Sequence, residues 1–511
     1  MHMKTRSLFL MLMLTATITR AQDPTDALRY SWLTPGGTAR SQAIGSATTA
    51  LGGDLSALFT NPAGLGFYKT GEIVITPGYS LNSAKSGYLG TEQKDSKNNM
   101  NYGTMGMVFA GGGSRNGAWK NFSFGLGVNR LANFNGSTYL KGYNNKSSYS
   151  EKYLEELISN NVTDPNTAAS GYPYGSSLAF NTYLVDTVQG PGGSISGYRS
   201  LATPQTGVNQ EERIKTSGGI ADYSLGFAGN LHDKFYVGAS LGVTLLKYSR
   251  DKLYTETDAT KNLNNFNYFT SGETLKTEGS GINLRLGMIY KPVDNLRLGL
   301  SFQTPTLYQL KDVYTAKVTT DLEGYAGSGV LTQSSLDLTG NEPGNFTYSY
   351  TAPLKASFGV SYAFNEVEDV TKQRGFITAD VEYVDYKGSR FHSSDGTGSS
   401  YFDHLNTTIR EQYKGAVNFR AGGELKFNTI MVRGGFGYYT NPYASSTDQG
   451  SRMNISGGLG YRNKGLFVDL TYAHLITKDN YYPYRLTDNV FYPAAIKDVR
   501  GNIVLSVGFK F

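Results

Sequence analysis

Five histidines are the side chains best suited to acid–base or metal chemistry in this chain of 511 residues. The spacing His-Glu-x-x-His, which would place two zinc ligands on one helix face, does not occur. A cysteine nucleophile is excluded because the chain contains no cysteine. One set remains, in which Asp395, Asp403 and His404 would form an acid–base group on one loop. A solvated loop is the ordinary alternative, so we expect no catalytic, metal or cofactor site.

The composition is unlike that of an average soluble domain. The chain contains 62 glycines, 38 tyrosines and 26 phenylalanines, a strong enrichment in aromatic and very small residues. Its formal net charge is +6, and three of the positive charges lie within the first 21 residues. Because the remaining charge is so small, we expect no nucleic-acid partner.

Residues 1–21 have the order of a cleavable export signal. Two basic residues precede the apolar run Leu8–Leu14, and Thr19-Arg20-Ala21 precedes a cut before Gln22. A membrane-spanning helix needs about 20 mostly apolar residues, and no segment after the signal approaches that length. The mature chain is therefore expected to be either a soluble periplasmic protein or a transmembrane β-barrel.

A two-residue period of apolar and polar side chains runs through many segments. In a barrel wall, successive side chains face lipid and lumen in turn, so this alternation is the expected pattern. A polar face with arginine and glutamine could not lie in a dry core, so water must lie on that side. The clearest apolar faces are Ile503, Leu505, Val507, Phe509 and Phe511, and Leu296, Leu298, Leu300 and Phe302, the latter alternating with Arg297, Gly299, Ser301 and Gln303.

Counting these segments predicts an all-β fold, a transmembrane antiparallel β-barrel of about 14 strands over residues 70–511. A soluble sandwich or propeller is the alternative, with core and solvent as the two faces. Glycine- and serine-rich polar faces and the lack of a blade-length repeat favour the barrel, placed in the outer membrane of a Gram-negative bacterium. The strand centres lie near residues 75, 105, 126, 224, 242, 284, 301, 354, 380, 420, 435, 456, 470 and 505.

The connections are of two kinds, as in outer-membrane barrels. Short turns such as His232-Asp233-Lys234 alternate with long links, the longest of which is an external loop over residues 132–217 with one helix near Ser150 to Asn160. We expect any protein or glycan partner to bind this loop. The terminal Phe511 resembles the aromatic residue that such barrels present to the barrel-assembly machinery.

Residues 22–69 precede the first strand and are not strand-like. Small residues dominate the part from Thr34 to Lys69, which cannot build a core of its own yet is apolar enough to pack inside a barrel. Asn61-Pro62-Ala63 leads from it into an extended segment, and Asn before Pro also favours a simple turn. We expect residues 22–69 to plug the lumen.

Four stretches carry a resemblance: "DLSALFTNPAGLGFYKTGEIVITPGY", "LRLGLSFQTPT", "VRGGFGYYTNPY" and "NISGGLGYRNKGLFVDLTYAHL". Together they resemble the FadL-like transporters of long-chain fatty acids and aromatic hydrocarbons. The resemblance implies a hatch that includes Asn61, Pro62 and Ala63, a hydrophobic small-molecule ligand, contact with outer-membrane lipid, and lateral release through the wall. The long polar loop departs from the familiar pattern and places the familiar substrate in doubt.

Two sets of residues are candidates for contact with the transported molecule. Arginines on the polar faces would line the lumen and attract a carboxylate, although arginine in a wet lumen is often merely solvated. A glycine-rich strand end is a candidate for the wall opening. The sets are Arg285, Arg297 and Arg462 for the lumen, and Gly125, Gly127 and Asn129 for the wall.

The sequence thus predicts passive outer-membrane transport of hydrophobic small molecules and no enzyme activity. Leaving water for an apolar site gains about 0.8 kcal/mol per methylene, so such uptake needs no energy source. Two alternatives stay open: a barrel that acts as a surface anchor or secretion-system scaffold, and a general diffusion pore.

Overall fold

The computed structural model describes residues 23–33, 36–113, 117–191, 195–260, 262–364, 374–394, 396 and 398–511. The predicted export signal lies outside this part of the chain. No helix in the described part is long and apolar enough to cross a membrane. The α-helices are α1 (Pro24–Ser31), α2 (Ala39–Ala43), α3 (Ala57–Thr60), α4 (Ser150–Ser159), α5 (Pro165–Ser170), α6 (Ser176–Asn181), α7 (Ser335–Leu338) and α8 (Ser399–Gln412), and 3₁₀ helices include Pro62–Phe67.

Strands make up most of the chain. They are β1 (Glu72–Ile75), β2 (Pro77–Tyr88), β3 (Thr91–Ser96), β4 (Asn99–Tyr102), β5 (Thr104–Gly111), β6 (Trp119–Asn133), β7 (Gly136–Asn144), β8 (Val185–Gln189), β9 (Ile195–Ser200), β10 (Val208–Leu231), β11 (Phe235–Asp258), β12 (Tyr268–Val293), β13 (Leu296–Gln303), β14 (Leu307–Asp321), β15 (Leu331–Ser334), β16 (Gly344–Thr351), β17 (Lys355–Phe364), β18 (Gly375–Asp385), β19 (Arg390–Ser393), β20 (Gly415–Phe427), β21 (Ile430–Tyr439), β22 (Arg452–Asn463), β23 (Leu466–Tyr481) and β24 (Ala494–Lys510).

Antiparallel pairing closes all of these strands except β8 and β9 into a barrel of fourteen spans, which confirms the predicted fold class; β8 and β9 pair with each other in a separate sheet. The last strand, β24, pairs with β1 and β2, so that Ile73 lies opposite Phe509 and Tyr79 opposite Ile503. Several spans consist of two strands in line, such as β13 and β14 on either side of Pro305, where proline cannot donate a ladder hydrogen bond. Each predicted strand centre falls in one span.

The alternation read from the sequence corresponds to the two faces of the wall. In β24, Ile503 and Phe509 are exposed at 41% and 46%, whereas Val504 and Ser506 are almost fully buried. The exposed side chains form an apolar belt around the barrel, as contact with lipid requires, and the inward side chains pack against the contents of the lumen.

Short turns gather at one end of the barrel, which we call the turn end, and long connections at the other, the loop end. The backbone of Phe511 pairs with Gly71 at the turn end. Short turns face the periplasm in such barrels. Between residues 132 and 217, which the sequence assigned to an external loop, the structure has β7 and the first part of β10. The connection between them is residues 145–207, which contain α4 to α6, β8 and β9. These strands project beyond the belt, where charged residues such as Lys141, Glu211 and Arg213 stand on the outward face in place of apolar ones.

Candidate functional site

A group of aromatic side chains faces the lumen on the loop-end side of the barrel, and we call it the aromatic cage. Its members are buried; five come from inward positions of neighbouring strands and Tyr413 follows directly after α8, whose buried face closes one side. Such a surface is strongly apolar but carries hydroxyls that can bind polar atoms at its rim. The cage consists of Tyr248, Tyr308, Tyr348, Tyr350, Phe391 and Tyr413.

Helix α1 occupies the aromatic cage. Asp23 caps its first turn, and Leu28 and Tyr30 point into the cage, where they are exposed at only 4% and 1%. The ring of Tyr30 lies edge-on to the rings of Tyr248 and Tyr350, with centroids 6.3 and 6.0 Å away. The cage therefore already holds apolar side chains of the chain itself.

Hydrogen bonds through tyrosine hydroxyls hold α1 in the cage. The hydroxyl of Tyr350 donates to the carbonyl oxygen of Ala27 at 2.7 Å, and that of Tyr413 donates to the carbonyl oxygen of Pro24 at 3.1 Å. Tyr30 donates to the hydroxyl of Thr277 at 3.1 Å. A helix of eight residues is marginal by itself, so its position depends on these contacts.

A polar chamber of about 110 Å³ lies between α1 and the segment that follows it. Lys355, Glu382, Arg420 and Arg452 line it together with the amide of Asn418. The Arg420 guanidinium lies 3.6 Å from the Glu382 carboxylate, whose other oxygen accepts a hydrogen bond of 3.0 Å from Asn418. Three cations thus face one lining carboxylate, and the buried carboxylate of Asp380 lies 3.8 Å from Arg420 behind the chamber wall.

Arg452 connects this chamber to the end of α1. Its guanidinium donates a hydrogen bond of 2.8 Å to the carbonyl oxygen of Leu33 and lies 4.6 Å from the centre of the Trp32 ring. Its other aromatic neighbour is Tyr439, at 4.9 Å. A ligand that bound Arg452 would therefore compete with Trp32 and Leu33, the two residues that follow α1.

Residues 36–68, which we call the inner segment, pack against inward-facing residues of the wall at the turn end. Helix α2 contacts β21 to β24, and the 3₁₀ helix Pro62–Phe67 contacts β6 and β10 to β12 on the other side. Asn61 is fully buried, and its amide donates to the carbonyl oxygens of Thr49 at 2.6 Å and Met288 at 3.3 Å. Its side-chain oxygen also accepts from the backbone of Ala63, so it caps the 3₁₀ helix at Pro62.

Glycines in the wall make room for this approach. A Cβ at Gly238 of β11 would lie 2.6 Å from the Pro62 carbonyl carbon, and one at Gly287 of β12 would collide with the side-chain oxygen of Asn61. Glycine in a strand interior marks such close approach. Gly238 and Gly287 were not predicted from the sequence, because the residues that approach them are distant in the chain.

Buried ion pairs attach the inner segment to the opposite wall. Arg40 lies 3.2 Å from Glu424, which also pairs with Arg433 at 2.6 Å, and Arg433 reaches Asp469 at 2.6 Å. Such groups are costly to bury unless each charge is paired. Their pairing fixes α2 firmly to β20, β21 and β23.

The three predicted lumen arginines lie in three separate places. Arg285 is exposed at only 1% and is paired with Asp222, so its charge is already compensated. The Arg297 guanidinium lies 4.6 Å from the centre of the Phe67 ring, and that of Arg462 lies 5.5 Å from the Phe467 ring. They form no joint anion site. The chamber cations Lys355, Arg420 and Arg452 were missed because their convergence depends on the barrel register.

The predicted wall residues lie beside an interruption of the sheet. Gly125 and Gly127 are paired on both sides, and Asn129, opposite Thr104, ends the ladder between β5 and β6. Beyond it β4 pairs with β2 alone among the described strands. A cavity of about 60 Å³ opens there, lined by residues including Tyr102, Arg130 and Asn133.

The protein is thus a closed barrel with an occupied lumen and a local break in its wall. The family model described as outer membrane protein transport protein (OMPP1/FadL/TodX) matches residues 220–502, more than half of the chain. The chain belongs to this family. Members of the OMPP1/FadL/TodX family are outer-membrane transport proteins, so the protein is placed in the outer membrane of a Gram-negative bacterium and in a class of transporters rather than enzymes.

Solved structures agree with the OMPP1/FadL/TodX fold. A FadL homologue of Pseudomonas aeruginosa is 14% identical, with a TM-score of 0.59 over 94% of this chain and 100% of that one. The toluene transporter TodX of P. putida is 16% identical, with a TM-score of 0.50 over 93% of this chain and 99% of that one. No curated protein matches the chain.

The acid–base set considered from the sequence lies outside the aromatic cage, as far as the structure describes it. Asp403 and His404 lie exposed on α8, on the side facing away from the cage. Asp395 lies outside the described residues. No group of three metal-binding side chains was found in the described part of the chain.

Proposed function

We propose that this barrel carries hydrophobic molecules with an acidic head group passively across the outer membrane, and that the aromatic cage is their binding site. The observation that carries the proposal is that α1 fills the cage with Leu28 and Tyr30 while a chamber lined by three cations lies next to it. An apolar ligand in the same place would gain about 0.8 kcal/mol per buried methylene.

The ligand must displace α1, because the two would occupy the same volume. The apolar part of the ligand replaces Leu28 and Tyr30 against the tyrosine rings. Its acidic head reaches the chamber, where Lys355, Arg420 and Arg452 exceed the single lining carboxylate of Glu382. Arginine favours a carboxylate ligand because its guanidinium can donate two charge-assisted hydrogen bonds to the carboxylate oxygens.

The inner segment acts in this proposal as the hatch. Asn61, Pro62 and Ala63 hold it against β12 at the turn end, and the Arg40 ion pair holds its other side. Loss of α1 from the cage would enlarge the chamber between α1 and the hatch, which lies close behind it in the chain. A small movement suffices because the chamber is already present.

The exit we propose is lateral, through the gap between β4 and β6. Gly36 and Ser46 line both the chamber and the wall cavity, so that the two cavities share a boundary inside the barrel. The gap begins immediately after Asn129, next to the wall residues Gly125 and Gly127 that the sequence indicated. A hydrophobic molecule leaving here enters the bilayer rather than the aqueous periplasm.

Export and assembly complete the proposal. Residues 1–21 are removed on export, and the barrel-assembly machinery recognises the C-terminal strand with Phe511, whose backbone pairs with Gly71 in the finished barrel. A separate role for the extracellular residues 145–207 in binding a protein or glycan is the remaining alternative, as is a scaffold function.

Uptake experiments decide among these functions. Cells that make the protein should take up dodecanoate faster than cells without it, and proteoliposomes should show no swelling in sugars. Equal uptake by both cell types refutes the transport proposal. Swelling in sugars would instead identify a general pore, and a partner that co-purifies only when residues 145–207 are present would identify a scaffold.

A further inference from the structure

Four lysines lie side by side on the outward face of the barrel, beyond the apolar belt on the loop-end side. Lys94 of β3 is directly opposite Lys85 of β2. Lys85 is opposite Lys497 of β24, which is in turn opposite Lys478 of β23. All four side chains are exposed. Since neighbouring strands are about 4.8 Å apart, this lysine row spans roughly 14 Å.

The lysine row is unfavourable by itself. Like charges directly opposite each other in neighbouring strands are destabilising. Among the described residues, Lys85 is the member with a carboxylate within 4.0 Å, namely Glu92 at 2.7 Å, and both side chains of that pair are more than half exposed. Three of the four positive charges thus lack a compensating group, and an anion from outside the chain would remove the repulsion.

The position of the row identifies the kind of anion. Leu81 lies four residues before Lys85 on the same face of β2 and is 40% exposed, as part of the apolar belt. Ile503 has the same role in β24, six residues from Lys497. At about 3.3 Å per residue the lysines lie roughly 13 to 20 Å along the strands from the belt. Acyl chains packed on the belt would place their head groups near the row.

We propose that the lysine row binds the phosphate-bearing head group of lipopolysaccharide in the outer leaflet. The proposal rests on the outer-membrane location and not on the transported molecule. Lysine ammonium groups bind phosphate as point charges, and a row of about 14 Å can meet more than one phosphate of the same glycolipid. The continuous apolar belt below it favours a lipid over a free anion.

The test compares two triple variants of the full-length protein. In one, Lys85, Lys478 and Lys497 become glutamine. In the matched control, Lys69, Lys234 and Lys464 become glutamine; these exposed lysines lie at the turn end, away from the outer leaflet. Both variants lose the same charge. Relief of repulsion means that the row variant should fold normally and unfold at the same or a higher temperature in detergent free of lipopolysaccharide.

Purified lipopolysaccharide is then added, and the thermal unfolding midpoint is measured. A ligand that binds only the folded state raises this midpoint with concentration. The wild type and the control should show the same rise, and the row variant should bind about a hundredfold more weakly, as expected for three basic residues near an anionic lipid surface. Dephosphorylated lipopolysaccharide should give the wild type little stabilisation.

Three results would overturn the proposal. One is an equal response of the row variant and the wild type to lipopolysaccharide. Another is full stabilisation of the wild type by the dephosphorylated lipid, which would assign binding to the acyl chains and the belt. The third is the same shift with inorganic phosphate alone, which would make the row a site for free anions.

Discussion

The hydroxyl of Tyr350 donates a hydrogen bond of 2.7 Å to the carbonyl oxygen of Ala27, and so the wall of the aromatic cage holds the helix that fills it. The bond joins residues 323 positions apart in the chain. It connects α1, which must move in the proposed function, with the aromatic cage, which must bind the ligand. Ligand binding as proposed here is limited by how strongly this contact and its neighbours hold α1.

Replacing Tyr350 with phenylalanine should make ligand binding tighter. The change removes the hydrogen bond to α1, worth about 1 kcal/mol net, together with a longer contact of 3.4 Å to the Ser389 hydroxyl, and it keeps the ring in the cage. Displacement of α1 then costs less, so that affinity for dodecanoate should rise about fivefold. Calorimetric titration measures the affinity, with Tyr223→Phe on the lipid-exposed face as the control. Weaker binding would show that the hydroxyl serves the ligand rather than α1.

Substituting Gly287 with alanine should loosen the hatch while leaving the barrel intact. The new methyl group would collide with the side-chain oxygen of Asn61, so the hatch must shift, at a cost of about 1 to 3 kcal/mol. The matched control is Gly434→Ala, because the Cβ there meets nothing within 4 Å. Limited proteolysis should cut the inner segment faster in the first variant only. Equal cutting of both variants would contradict the tight packing of Asn61.

The chamber cations should distinguish an acid from an alcohol. Lys355→Gln should weaken binding of dodecanoate about tenfold, in line with one lost charge-assisted hydrogen bond, and leave binding of dodecanol unchanged. Lys276→Gln, at an exposed position on β12, controls for net charge. Equal loss for both ligands would mean that Lys355 supports the structure of the site and does not recognise the head group.

A bulky residue in the wall gap should separate binding from release. Asn133→Trp would fill the cavity of about 60 Å³ between β4 and β6. If molecules leave there, dodecanoate uptake by cells should fall severalfold while its affinity for the purified protein stays the same. Unchanged uptake would exclude this exit and direct the search to another part of the wall.

The sequence predicted the barrel well because lipid and lumen impose opposite solvents on successive residues. The side-chain type of Ile503 or Ser506 therefore predicts whether it faces lipid or lumen, whatever residues surround it in the folded barrel. The cage and the chamber carry no such local signal. Tyr248, Tyr350 and Tyr413 come together only through barrel closure, and the pairing of Arg285 with Asp222 depends on strand register.

The inner segment was predicted in part. Its small residues and Asn61-Pro62-Ala63 indicated a segment packed in the lumen, and Asn61 is indeed buried against the wall. Helix α1 was not predicted, although Asp23 and Asp26 form a capping box around Pro24 that marks a helix start. Its place in the cage is a tertiary property that eight residues do not specify.

Displacement of α1 by the ligand is the central claim, and Trp32 can report it directly. The chain has two tryptophans, so Trp119→Phe leaves Trp32 as a single probe at the end of α1, beside Arg452. We predict that saturating dodecanoate shifts Trp32 emission to longer wavelength and increases its quenching by iodide. Binding of dodecanoate with neither change would mean that α1 stays in the cage, and would contradict the account.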